Sequence, residues 1–247
     1  MFTLSGFKGI KTALAAAALL TTFNACADIV ISGTRIIYPQ SSKDVVVNLE
    51  NRGNKPLLVQ TWLDDGRDDV NPQELKLPFV ITPPVSRIDP KNGQSLRITY
   101  MGKPLPQDRE SLYWFNVLEI PPKSKAKEGE SLNQLQLAFR TRIKFFFRPD
   151  GLKGSPLQAA TDMMLSEKIE GNTVQLVALI NSPYNVAISK VTLKAGQKSY
   201  DVSQQSVLPF SEKAMTVKGL SSATTGSVMY ETINDNGGVD KHETKLN

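Results

Sequence analysis

The chain has one cysteine and one histidine among its 247 residues. That scarcity excludes an internal disulfide framework, a Cys/His zinc site and a Cys/His catalytic dyad, each of which needs more of these residues than are present. It has no long hydrophobic run either. The longest apolar stretch near the start, Ala13 to Leu20, covers eight residues, far short of the roughly 20 needed to cross a bilayer as a helix. No Gly-rich phosphate-binding loop is evident, so no nucleotide is expected. Charge is nearly balanced, with 29 Lys and Arg against 24 Asp and Glu. This mild excess is no evidence for nucleic-acid binding, which would want a clustered basic face.

What is present is enough apolar material, 40% of the chain, for a packed core, and an amino-terminal segment with an export pattern. Lys8 and Lys11 precede the apolar run, and Ala25-Cys26-Ala27 has the small-x-small form of a signal-peptidase site. Residues 1–27 therefore read as a secretory signal, and Asn24 and Phe23 argue against a lipid anchor on Cys26. Cleavage after Ala27 would remove the only cysteine and both signal lysines, leaving a protein held together by burial alone.

Beyond the signal the hydrophobic pattern has period 2. Ile29 and Ile31, then Val45, Val47 and Leu49, then Leu57 to Leu63, and then Leu96, Ile98 and Tyr100 alternate or run as strands do. Asn51-Arg52-Gly53-Asn54, Pro83-Pro84 and Lys91-Asn92-Gly93 supply turns between them. No helix of a dozen residues is evident, so the fold class is all-β. Arg148-Pro149-Asp150-Gly151 ends a long strand in a residue that cannot continue a ladder. A boundary there divides the mature chain into residues 28–149 and 150–247, each the size of one immunoglobulin-like sandwich. Strand signals resume at 173–180, 186–193, 200–202, 215–217 and 227–233. The acidic run Asp64 to Asp69 lacks the ligand periodicity of a calcium loop and reads as a hairpin tip. His242, in a polar tail, reads as a frayed-end residue with no catalytic partner.

The segment Gln134 to Pro149, QLQLAFRTRIKFFFRP, places Leu135, Leu137 and Phe139 on one face. By itself it reads as a half-buried strand. Leu105 to Pro122, LPQDRESLYWFNVLEIPP, changes that reading, because it closely resembles the signature of the PapD-like periplasmic pilus chaperones of the chaperone-usher pathway. ADIVISGTRIIYP, TPPVSRIDP, RTRIKFFFRP and TINDNGG extend the resemblance through nearly the whole mature chain.

The resemblance implies two immunoglobulin-like domains set at an angle around a cleft; the residues themselves give no expectation of a cofactor, a metal or an enzymatic activity. It implies that pilus subunits are the partners, each an incomplete sandwich that borrows the chaperone's strand, with Leu135, Leu137 and Phe139 entering its open core. An outer-membrane usher would receive the capped subunit. Arg35 and Lys144 map to the pair that holds the subunit's terminal carboxylate, and Glu110, Arg148 and Asp235 to a charge network joining the domains. Free molecules could cap one another as oligomers. The short spacing from Pro122 to the donor strand resembles the branch that serves rod-forming pili. An enzyme and a pilin or adhesin are the competing classes, though pilins usually have one domain and a cysteine pair. Lys144 has the opposite parity to Leu135, Leu137 and Phe139; twist or a bulge near Thr141 would reconcile them. Arg140, Arg142 and Arg148 share the lysine's parity and read as a solvated basic row.

Overall fold

The computed structural model describes residues 28–67, 70–122, 137–203 and 205–246. Its first half forms β1 (Ile29–Ile31), β2 (Arg35–Pro39), β3 (Asp44–Asn51), β4 (Leu57–Asp64), β5 (Phe79–Thr82), β6 (Val85–Ile88), β7 (Gly93–Tyr100), β8 (Ser111–Ile120) and β9 (Phe139–Arg148). These make two facing sheets, β1-β3-β7-β5 and β2-β9-β8-β4-β6. Alternation does the sorting: Val47, Leu49, Leu96 and Ile98 point inward from one sheet and Val59, Phe115, Val117, Phe145 and Phe147 from the other. Tyr38 sits at the centre, within 6.4 Å of the Phe79, Tyr100, Phe145 and Phe147 rings. Its buried hydroxyl accepts from Tyr100 N at 3.1 Å and reaches the carbonyls of Ser42 and Lys43. A phenol so placed satisfies its polar end while its ring fills the core.

The second half forms α1 (Pro156–Thr161), β10 (Met164–Glu170), β11 (Thr173–Leu179), β12 (Ile188–Ala195), β13 (Lys198–Asp201), β14 (Glu212–Thr216), β15 (Gly226–Ile233) and β16 (Val239–Leu246). Its sheets are β10-β11-β14 and β13-β12-β15-β16, closed over a separate core that includes Val174, Leu176, Leu193, Met215 and Val228.

Three local expectations are corrected, and one short element is added. Residues 156–161 are a helix: Ser155 caps it by accepting from Gln158 N at 3.1 Å, and Pro156 sits at its first turn, where a missing N–H does no harm. The tail holding His242 is strand β16, paired with β15 along its whole length. An edge strand touches the protein on one side only, so polar residues suffice. His242 stacks on Tyr230 with ring centroids 4.8 Å apart and its Nε2 lies 2.9 Å from Thr232 Oγ1; burial pushes its pKa down. The acidic run is no hairpin tip, because after β4 the chain crosses to β5 of the opposite sheet. The basic row is no solvated face either, for reasons given below.

Candidate functional site

Strand β9 organises the site. Its ladder with β8 runs without a shift from Glu119↔Phe139 to Ser111↔Phe147, so no bulge interrupts it at Thr141. Strict alternation therefore holds: Phe139, Ile143, Phe145 and Phe147 share one face, and Arg140, Arg142, Lys144 and Phe146 the other. The consecutive Phe145, Phe146 and Phe147 are all buried because the first face is the sandwich core and the second abuts the other domain.

On its far side β9 is covered only in part. Parallel strand β2 pairs with it from Arg35↔Lys144 to Pro39↔Arg148. Among the described residues no strand lies beside Phe139 to Ile143. Leu137 and Phe139 are 55% and 50% exposed at this open end. Leu135 lies outside the described residues, as does the signal segment 1–27.

Where the open edge stops, Arg35 and Lys144 stand side by side in register on adjacent strands. Arg35 donates through Nη1 to the carbonyl of Ile233 at 2.6 Å, and its buried Nε has no hydrogen-bond partner among the described residues. Burial lowers its pKa, against the attraction of Asp235 and Glu110. Lys144 lies 5.8 Å from the Trp114 ring centroid, and its ammonium donates to Ser206 Oγ of the second domain. Burial, with Arg35 beside it, pushes its pKa down to about 8. Two half-buried cations, with no carboxylate among the described residues paired directly to Lys144, make a site ready for an anion.

Glu110, Arg148 and Asp235 do come together. Arg148 donates through Nε to Glu110 Oε1 at 2.6 Å and through Nη1 and Nη2 to Asp235 at 2.7 and 3.0 Å. Burial opposes its charge, but the two carboxylates outweigh burial and raise its pKa. Glu110 Oε2 also accepts from the backbone and side-chain nitrogens of Asn185 at 2.9 and 3.0 Å, and Glu110 N donates to Pro183 O at 2.9 Å. This network ties strands β8 and β9 to the second domain through directional bonds, which fix geometry more than they add stability.

Three features of the site were not legible. Asn185 has no pattern to mark it, since a single loop asparagine carries no signal, and Ser206 is equally anonymous. The third is Asp64, 1% exposed, which accepts from Arg142 through both its oxygens and from Asn116 Nδ2 at 2.8 Å, with Arg140 at 3.4 Å. Burial would raise its pKa, but Arg142, Asn116 and the Gly66 N–H outweigh it and the net shift is downward. Arg140 lies 5.2 Å from the Trp62 ring and Arg142 4.5 Å from that of Trp114. The supposed solvated row is an ordered layer of arginine, tryptophan and aspartate beside Lys144.

An immunoglobulin-like pair of sandwiches clasped through one charge network, with an open strand edge leading into the cleft between them, is the architecture of the pilus chaperones. The chain belongs to the PapD family of pilus-assembly chaperones, a periplasmic family. The family of pili and flagellar-assembly chaperones, PapD N-terminal domain, matches residues 28–153, and the PapD C-terminal domain matches 158–244. The chain is 47% identical to the probable fimbrial chaperone YadV of Escherichia coli K12, over 89% of this chain and 90% of that one. It is 39% identical to the chaperone FimB/FhaD of Bordetella pertussis, over 89% and 88%. The crystal structure of the YadV chaperone superposes with a TM-score of 0.78 at 44% identity, covering 89% of this chain and all of that one. A chain from the Salmonella enterica SafA pilin–SafB chaperone complex gives 0.74 at 27% identity, over 91% and 99%.

Proposed function

We propose that this protein caps pilus subunits in the periplasm by lending them the open end of β9, and passes them to an outer-membrane usher. The observation that carries this reading is the half-covered strand: the edge of Phe139 to Ile143 has no neighbouring strand among the described residues, and it ends at Arg35 and Lys144. A subunit strand laid on that edge would gain main-chain hydrogen bonds, which is β-augmentation, for which chaperone-pilin complementation is a standing example. Leu135, Leu137 and Phe139 would then fill the subunit's core. Three large apolar side chains offer about 5–9 kcal/mol, against roughly 1.5–3 kcal/mol for a charge-assisted hydrogen bond. Apolar burial supplies affinity, and the cations set register.

On this reading the anchored strand has a direction. Its carboxyl end lies at Lys144, and its body lies beside Phe139 to Ile143, so it runs parallel to β9, in line with β2. The parity of Lys144 is then no obstacle. A chain terminus lies in the plane of the sheet, between the faces, and a cation on either face reaches it. Glu110, Arg148 and Asp235 hold the cleft at the angle this requires, residues 1–27 direct export, and the domains divide at 149/150.

The test is co-expression with a subunit in the periplasm. Wild type gives a one-to-one complex and protects the subunit from proteolysis. Leu137→Asp stays folded and loses that protection, because a carboxylate is placed in the client's core. Undiminished protection by Leu137→Asp contradicts strand lending.

A further inference from the structure

We propose that Ser206 is a positioning residue of the carboxylate grip: supplied by the second domain, it holds the ammonium of Lys144 in the cleft, so that capture needs both domains and a protonated Lys144. The proposal rests on the reading of Arg35 and Lys144 as the anchor for a client's terminal carboxylate.

The hydroxyl is rigidly presented. Its neighbour Val207 is fully buried in the second core and exchanges both main-chain hydrogen bonds with Val186, each at 3.0 Å. Ser206 therefore moves with the second domain's core, while Lys144 is fixed by β2 and β8 on the first. Their contact spans the domains at the floor of a cleft of about 610 Å³ whose walls include Leu112, Trp114, Ile188 and Leu208. A lysine on a four-carbon stem loses much rotamer freedom when it is held this way. A hydroxyl that accepts from the ammonium has already ordered it before the client arrives.

Charge around the ammonium is one-sided. Arg35 on β2 repels it. On β9 and β4, Arg142 is occupied with Asp64. Glu110 and Asp235 hold Arg148. Glu212 and Lys213, on the second domain, line the same cleft with opposite signs. Among the described residues Ser206 is thus the group that hydrogen-bonds the ammonium of Lys144 directly, which favours its charged form. Since the ammonium loses its proton at about pH 8, binding of a client carboxylate above that pH requires Lys144 to take up a proton from solvent. Affinity should then fall about tenfold per pH unit. Arg35 stays charged throughout and leaves a residual grip.

The experiment measures Kd from pH 6 to 10 for a synthetic peptide of alternating apolar and polar residues, as the free carboxylate and as the carboxyl-terminal amide. For wild type, the carboxylate peptide should bind with constant Kd below about pH 7.5 and weaken above about pH 8, while the amide binds weakly at every pH. Ser206→Ala should weaken the carboxylate peptide about three- to tenfold, shift the midpoint to lower pH, and leave the amide unchanged. Ser206→Thr, which keeps the hydroxyl, should restore both. If Ser206→Ala retains wild-type affinity and midpoint while the carboxylate still outbinds the amide, the role of Ser206 is overturned and the anchor stands. If carboxylate and amide bind wild type equally, the anchor itself fails, and this proposal with it.

Discussion

Residues 145–147 of β9 are 0–3% exposed, whereas Leu137 and Phe139 at the strand's other end are 55% and 50% exposed. Both ends draw on the same kind of residue, large and apolar, and one uninterrupted ladder with β8 spans Phe139 to Phe147. They differ in what lies on the far side: β2 and the second domain cover one end, and no described strand covers the other. The same chemistry is a core in one place and, on the proposed function, an offer to a partner in the other. An exposed apolar strand edge is a standing aggregation risk, which strand lending would offset by covering it with a client.

The comparison is broken most forcefully at the covered end. Phe145→Ala removes a ring that touches those of Tyr38 and Phe79, and should cost about 3–5 kcal/mol of stability, read as a fall in denaturant midpoint. The same truncation at Phe139 should change stability by less than about 0.5 kcal/mol. Next comes the clasp. Arg148→Ala leaves Glu110 buried without its cation and should cost roughly 1.5–3 kcal/mol; small-angle scattering should show a broader range of interdomain angles.

Lys144→Met is expected to be smaller and opposite in sign. The folded-state pKa of about 8 lies below the ordinary lysine value of 10.5, so between these pH values the unfolded chain holds more protons and stability climbs as pH rises. Below about pH 8 the folded protein carries its buried ammonium at full cost. Lys144→Met should therefore be more stable than wild type at pH 7, by roughly 0.5–2 kcal/mol, and the gap should close by about pH 10. Stability and client affinity would move in opposite directions at one residue. A destabilised variant at pH 7 would show that Lys144 serves the free fold instead.

Much of this was legible in the sequence, for identifiable reasons. Alternation exposed strands such as 45–49 and 96–100 because one of their faces is buried and the other solvated. The same rule missed β10 and β16, edge strands whose apolar residues are interspersed with charged ones. The motif segments led to Arg35, Lys144, Glu110, Arg148 and Asp235, residues from four distant stretches that no local pattern connects, and the fold brings them together where the two domains meet. Asp64 was misread because a run of aspartates suggests a solvated tip, whereas its first member turns under the sheet to meet Arg142, 78 residues away. Asn185 and Ser206 matter only through partners across the domain boundary, and no one-dimensional signal encodes that.

Amide hydrogen exchange along β9, with and without a bound subunit, tests the central claim most directly. The outward-facing amides of Phe139 to Ile143 should exchange quickly in the free protein and become strongly protected in the complex, while those of Phe145 to Phe147 stay slow in both. Amides at Phe139 to Ile143 that exchange equally in the free and complexed protein would mean that this strand is not the one lent.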